Sequence, residues 1–330
     1  MPRAHEQISR LRPHAFDGRE SMKKHLNFLI CMIVLAGMLS LSSGCKNNPA
    51  GADPDDPGTM VLIQAAGDSF DMGDGTYGPI PPLSQTISHN LLISSVEVTN
   101  QLFAEFIAHG GYTTESYWTA NGWSTKVAEG WSEPEYWNDP DFNQPDQAVV
   151  GVSWYEAVAF CNWLSEQESL DAAYDANGLA DLSASGYRLP TEVEWEYAAA
   201  KGASGDPERL YPMGNVWDGT KVVCNVAPES ASAPAAVGSK SPGGDTPQGL
   251  KDMNGNVWEW LSDNYQDKNN ITPGTDYYYF SNDDTATFLV RGGSCLNIST
   301  FYFQCSYRTI PGPRADSRNT MYGFRILRRQ

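Results

Sequence analysis

Basic residues are scarce in this sequence. Lys and Arg number 22 against 40 Asp and Glu over 330 residues, a formal net charge of −18. Gripping a phosphate backbone takes clustered cations, so a general nucleic-acid binder is not expected. Histidine is scarcer still, with five in all and only His89 and His109 beyond position 45. Neither has a second ligand-type residue nearby, so a two-histidine iron centre and a serine–histidine hydrolase both lack parts; lone histidines read as surface or capping groups. A glycine-rich phosphate loop and a zinc-protease helix motif are both missing, which argues against nucleotide binding and against that metal chemistry. No internal repeat of 20–50 residues is visible. What is plentiful is aromatic surface, with 10 Trp and 16 Tyr, alongside 30 Gly and 21 Pro. That composition describes an ordered chain rich in loops.

The first 45 residues read as an address. Residues 1–21 are a polar upstream extension, and Met22-Lys23-Lys24 opens a basic stub. The apolar run Leu26 to Leu41 is 16 residues, short for a membrane span, and Ser42-Ser43-Gly44-Cys45 closes it with small residues. Residues 22–45 resemble a bacterial lipoprotein signal, which implies that Cys45 is acylated and becomes the mature N-terminus; an uncleaved anchor helix is the alternative. Either way the body is expected outside the cytoplasm, anchored on the periplasmic or cell-surface face of a bacterial membrane. Residues 46–58 read as a flexible tether, and 59–330 as one domain.

Cys31 lies in the signal and Cys45 would carry lipid, leaving Cys161, Cys224, Cys295 and Cys305. Four cysteines outside the cytoplasm allow three pairings. Cys161 falls in an apolar helical stripe and reads as a small buried hydrophobe. Cys295 and Cys305 are the more natural pair.

Along the body, Met60 to Ala65 reads as a strand ended by a turn at Gly67-Asp68, and Ile87 to Ile93 as a second strand. Thr99 precedes Leu102, Phe103, Phe106 and Ile107 at helical spacing. The stretch 112–145, with four Trp among Gly, Asn, Asp and Pro, reads as a packed, irregular surface loop. Ser153 with Glu156 and Thr191 with Glu194 are capping boxes that open two helices, so both glutamates are caps before they are acids. Past Gly202 only short strand-like runs remain, such as 288–291 and 324–327. Helices first and irregular β structure later make an α+β domain with few long elements, held by aromatic packing and loop crosslinks.

The motifs then fall in a recognisable order. They are Gly67-Asp68-Ser69-Phe70-Asp71-Met72-Gly73, Glu97-Val98-Thr99-Asn100, Val152-Ser153-Trp154 and the run from Arg188 to Ala198. After them come Gly249 to Trp260, Arg291-Gly292-Gly293-Ser294 and Gly323-Phe324-Arg325. This series resembles the formylglycine-generating enzyme, or sulfatase-modifying factor, family. The resemblance spans 59 to about 328 and implies a single compact domain of the C-type-lectin-like type.

Family members that oxidise a sulfatase cysteine carry two cysteines shortly after the Gly-Gly-Ser, with four residues between them, which bind copper(I) and activate oxygen. Soft thiolates select that ion. Here Cys295 follows Ser294 at once, nine residues separate it from Cys305, and Asn297 stands where the first family cysteine would be. The two cysteines are a rearranged redox pair, a disulfide or buried thiols. The expectation is a non-catalytic or divergent binding or scaffold member with a protein or peptide partner in the envelope; a copper- and oxygen-dependent oxidase is the alternative. The family also includes sulfoxide synthases that use iron on a separate three-histidine domain. That domain is not recognised in this sequence, and ergothioneine-type chemistry is not expected.

The resemblance also implies calcium. It assigns the side chains of Asp252 and Glu259 and the carbonyls of Gly255 and Val257 to one ion, and Asn225, Val226 and Glu229 to a second. Mixed carboxylate and carbonyl oxygens suit calcium; an Asx-rich turn with Glu259 bonded to backbone amides is the alternative. Arg291, Arg308 and Arg325 are expected to lock late loops through their five donors. Trp258 and Trp260 alternate, one expected in the core and one along a groove. Ser294 is assigned to the same pocket, without a base that would make it a nucleophile.

Overall fold

Ser153 accepts a hydrogen bond from the Glu156 amide, and the Glu156 carboxylate reaches back to the Ser153 amide; Thr191 and Glu194 repeat the arrangement. These boxes satisfy backbone donors that a helix start leaves unpaired. They open α3 (Trp154–Gln167) and α4 (Glu192–Ala200) in the computed structural model, which describes residues 59–76, 82–283 and 285–330. The signal, Cys31, Cys45 and the tether lie outside the described residues. The described residues fall within one unit, Asp53–Gln330.

Among them three three-stranded sheets form. In the first, β1 (Met60–Ile63) and the last strand, β9 (Leu327–Arg329), flank β4 (Leu91–Ser94), all antiparallel. In the second, β2 (Asp68–Met72) and β3 (Leu83–Ile87) pair antiparallel, and β6 (Gly274–Thr275) joins β3 in parallel. In the third, β5 (Trp258–Asn264) lies between antiparallel β7 (Phe288–Arg291) and parallel β8 (Tyr322–Gly323). Two further helices are α1 (Asn100–Ala108), capped by Thr99, and α2 (Ala120–Glu129), capped by Thr119.

The fold class is therefore α+β, as composition indicated, with several local corrections. The strand expected at Ile87 to Ile93 is two strands, because Ser88 to Asn90 turn between β3 and β4. The expected loop at 112–145 contains a short 3-10 turn, Glu115–Tyr117, and all of α2, whose Thr119 cap and Gly130 left-handed end supply both stop signals. The late strand expected at 324–327 is interrupted: Phe324 to Ile326 separate β8 from β9. Trp258 and Trp260 are both buried, so neither lines an open groove.

Aromatic contacts dominate the core. Phe103 of α1 stacks on Phe160 of α3 with ring centroids 5.6 Å apart, and Phe160 meets Phe324 at 5.4 Å. Such pairs add about 0.5–1.5 kcal/mol each beyond area burial. Cys161 is fully buried in this cluster, the small-hydrophobe role expected of it.

Every residue of α4 is buried, including Glu192, Glu194 and Glu196. Carboxylates are tolerated there only when each has a cation. Arg188 holds Glu194 through two nitrogens at 2.6 and 2.7 Å, and His89 adds Nε2 at 3.0 Å. Arg291 reaches Glu192 at 2.8 Å and Glu196 at 2.7 Å, while Arg308 binds Glu192 at 2.5 and 3.1 Å. His89 is thus a buried hydrogen-bond partner of Glu194, not the surface group expected. His109 does close the end of α1, with Nδ1 2.8 Å from the Glu105 carbonyl.

Candidate functional site

The motif from Gly249 to Trp260 folds as an irregular turn leading into β5. Asp252, Gly255 and Asn256 all take positive φ, at 52°, 86° and 57°. At Gly255 an added Cβ would lie 2.5 Å from Val222 Cγ1 and 2.6 Å from the Val223 carbonyl oxygen, so only glycine fits. The turn brings Asp252 and Glu259 into one electrostatic neighbourhood, as the motif implied. It also brings in Glu97, from the segment ahead of α1, which sequence reasoning did not assign to the site. Its place at the head of the Glu97-Val98-Thr99-Asn100 motif was the available signal.

One guanidinium serves these three buried carboxylates. Arg325 donates Nε to Glu259 Oε2 at 2.7 Å and Nη2 to Oε1 at 2.6 Å, and Trp195 Nε1 adds 2.8 Å to Oε2. Arg325 also holds the carbonyls of Ser94 and Lys251 at 3.0 and 2.9 Å. Glu259 is bonded to side-chain donors and not to the backbone amides of the alternative reading. Asp252 Oδ2 accepts the Gly238 amide. Glu97 accepts from Asn256 Nδ2 at 3.1 Å on one oxygen, and its Oε2 is buried without a partner, as is Asn254 Oδ1. Burial raises the Glu97 carboxyl well above its ordinary range, and Asp252 adds to the shift. Burial likewise raises Asp252, to about 6, with the Gly238 amide and Arg325 opposing.

Three acids against one base is the charge pattern a divalent cation relieves, and the orphaned Glu97 oxygen points the same way. No three side chains of His, Cys, Asp or Glu among the described residues converge tightly enough to hold a metal by themselves. An ion here would have to draw on backbone carbonyls, as the assignment of Gly255 and Val257 requires. The second proposed set does not assemble in this way. Glu229 turns to Lys240 at 3.1 Å, the Val226 carbonyl accepts the Glu229 amide at 3.0 Å, and the Asn225 amide bonds the Asn297 carbonyl at 3.2 Å. Glu229 is thus ion-paired with Lys240, as Glu259 is with Arg325, so an ion at either place would have to displace a cation.

Ser294, Cys295 and Asn297 lie just past β7. Asn297 Oδ1 accepts the Ser294 amide at 2.7 Å and its hydroxyl at 3.1 Å, so the residue at the family cysteine position closes a turn. The same bond occupies the Ser294 hydroxyl. Cys161, Cys224, Cys295 and Cys305 are all buried free thiols, so of the readings offered for Cys295 and Cys305 the structure has buried thiols and not a disulfide. Burial raises Cys295 to about 12. Cys305 is driven higher, by burial and then by the Glu196 carboxylate, with Arg209 and Arg291 opposing. Its backbone is pinned by the Leu210 carbonyl at 2.9 Å and by Arg291 Nη1 at 2.7 Å. Beside this segment, Trp258, Phe301, Tyr302 and Tyr307 form an aromatic cluster with centroids 4.1 to 6.1 Å apart.

Comparison with known proteins agrees with fold and motif order. The family described as sulfatase-modifying factor enzyme 1-like domain matches residues 47–330. The chain belongs to that family. It is 33% identical over 180 residues to a hercynine oxygenase of Mycolicibacterium thermoresistibile, a match covering 52% of this chain and 35% of that protein. It is 27% identical to the formylglycine-generating enzyme of Streptomyces coelicolor, covering 81% and 88% of the two chains. It is 29% identical to the inactive Cα-formylglycine-generating enzyme 2 of Bos taurus, covering 63% and 72%. Against the hercynine oxygenases the chain spans about a third to a half of their length. Among solved structures, Treponema denticola variable protein 1 aligns with a TM-score of 0.61 at 24% identity, covering 82% of this chain and 95% of the other, a likeness of fold.

Proposed function

We propose that the chain acts in a bacterial cell envelope, held to a membrane by lipid on Cys45, as a binding or scaffold member of its family that does not oxidise cysteine. The observation that carries this reading is the state of two thiols. Copper(I) needs paired thiolates that can reach one ion. Cys295 and Cys305 both keep their protons far above neutral pH, and Cys305 faces a carboxylate that opposes its ionisation. The position of the family's first cysteine holds Asn297, whose side chain is used within its own turn. These residues do not fit a copper pair.

We further propose calcium at the turn before β5, taken up in exchange for part of the Arg325 contact to Glu259. Asp252 and Glu259, with the carbonyls of Gly255 and Val257, would hold it, and Glu97 would supply added negative charge. Its role would be to neutralise buried acids and stiffen the turn before β5.

The test gives purified protein copper(I), oxygen and a Cys-x-Pro-x-Arg peptide. The thiol mass is expected to persist and copper not to bind stoichiometrically. An aldehyde product would replace this reading with the copper-dependent conversion of a sulfatase cysteine to formylglycine, which the unbonded state of both cysteines leaves open to experiment. Mass spectrometry of the N-terminal peptide tests the anchor; an unacylated Cys45 refutes it.

A further inference from the structure

The turn that carries Asp252 and Gly255 is tied to a more exposed hairpin through sulfur. Tyr211 and Gly214 exchange backbone hydrogen bonds at 2.9 Å, which places Pro212 and Met213 at a tight tip. Met213 is half-buried and packs against the cluster of Tyr211, Val222, Cys224 and Phe303. Its Sδ accepts a hydrogen bond from Asn254 Nδ2 at 3.2 Å. Met72 and Met253 are fully buried, which shields their thioethers from dissolved oxidants, whereas Met60 and Met321 are half-buried like Met213.

Asn254 is 2% exposed, and its Oδ1 is buried without a partner, so the side chain is held through Nδ2. Flipping the amide would aim oxygen at sulfur and strand the N–H as well. A thioether sulfur is a weak acceptor with two lone pairs. The Asn254 N–H sits on one of them, which leaves the other to meet an oxidant from the solvent side.

We propose that Met213 is a redox-modification site that sets the strength of this turn, with a peroxide as the oxidant. Hydrogen peroxide transfers one oxygen atom to the open lone pair of Sδ. The O–O bond breaks, sulfur gives up two electrons to become the sulfoxide, and water leaves. The sulfoxide sulfur carries partial positive charge and no longer accepts from Asn254, whose amide is then buried with both ends unpaired. An unpaired buried donor is costly, so the turn loosens. Because the N–H covers one lone pair, oxidation gives one sulfoxide epimer, and epimer-specific reductases tell the two apart. The device acts on the turn itself and needs no ion there.

The full chain, kept in chelator so that calcium plays no part, is treated with hydrogen peroxide, melted, and then digested for peptide mass spectrometry. The digest is split between the two epimer-specific reductases. One reductase should remove most of the Met213 sulfoxide and the other little of it. The melting temperature should fall by about 2–6 °C, the effect of one buried hydrogen bond in a chain of this size. Met213→Leu keeps the volume and cannot be oxidised there, so peroxide should move its melting temperature by less than about 1 °C. Asn254→Ala uncovers both lone pairs and should give the two epimers in comparable amounts. Near-equal epimers in the unmodified protein, Met213 left reduced while Met60 and Met321 oxidise, no shift in melting after full oxidation of Met213, or an equal fall in the Met213→Leu protein would overturn the proposal.

Discussion

Arg325 and Glu259 form a buried two-point clasp, Nε to Oε2 at 2.7 Å and Nη2 to Oε1 at 2.6 Å, with both side chains essentially inaccessible. The same guanidinium ties the Ser94 carbonyl at the end of β4 and the Lys251 carbonyl just before the turn at Asp252. Arg325→Lys keeps the charge but not the fork. It should lower stability by about 3–5 kcal/mol, the range for breaking a buried pair. Urea unfolding measures it, and a loss below about 1 kcal/mol, the worth of an ordinary exposed pair, would mean that the clasp is replaceable.

Glu97 brings a third carboxylate to that clasp, with one oxygen unpartnered. If calcium settles the charge, added calcium should raise the melting temperature and a chelator lower it. Glu97→Gln and Asp252→Asn should shrink the difference. A melting temperature indifferent to both reagents in the unmodified protein sinks the cation reading.

Asp263 offers a test by pH. It is buried in β5, accepts the amides of Glu192 and Tyr279 at 2.8 and 3.1 Å, and is pushed up to about 8 by burial and then by the Glu192 charge. An unfolded aspartate titrates near about 4. The folded chain thus binds one more proton than the unfolded chain between these values. This stabilising contribution is complete below the unfolded value and is lost as pH rises through about 8. Asp263→Asn should flatten the fall in stability between about pH 5 and 8, measured by urea midpoints on a pH series. An unchanged slope would show that Asp263 is ionised throughout.

The thiols can be counted. Cys161, Cys224, Cys295 and Cys305 are buried and unbonded. A thiol reagent should leave them unmodified in the native protein and label all four after unfolding without reductant. Rapid native labelling of Cys295 or Cys305 would instead mark an accessible, ionisable thiol, and with it the oxidase reading.

Thr191 caps α4 and closes a box with Glu194, whose carboxylate is also held by Arg188 and His89. Burial alone would raise Glu194, but Arg188 and His89 outweigh it and hold the carboxyl far below its usual range. Thr191→Ala should cost about 1 kcal/mol, the worth of a cap alone. A loss several times larger would show that the hydroxyl also positions the ion pair; calorimetry distinguishes the two.

Much of this molecule could be read without coordinates. The capping boxes depend on partners three residues apart, and the positive-φ turn at Gly255 on a short motif, so both were legible. Burial of Cys161 followed from its place in an apolar stripe. The strand expected at 87–93 failed because a continuous apolar pattern hides the turn at Ser88 to Asn90. The helix Ala120–Glu129 was missed because few apolar residues, chiefly Trp123 and Val127, mark it among loop-forming ones. At the site, Asp252 and Glu259 were found because they lie only seven positions apart; Glu97 was not, because it joins Asn256 from 159 residues away.

Local chemistry in the sequence was enough to determine the family, the α+β class, the helix starts and the acidic balance, since each rests on residue type and short spacing. The tertiary structure alone decided that Cys295 and Cys305 stay unbonded and protonated, that His89 is a buried hydrogen-bond partner of Glu194, and that a single arginine serves three buried acids. Those outcomes are set by burial and by pairing across long stretches of chain, and nothing in the neighbouring residues encodes either.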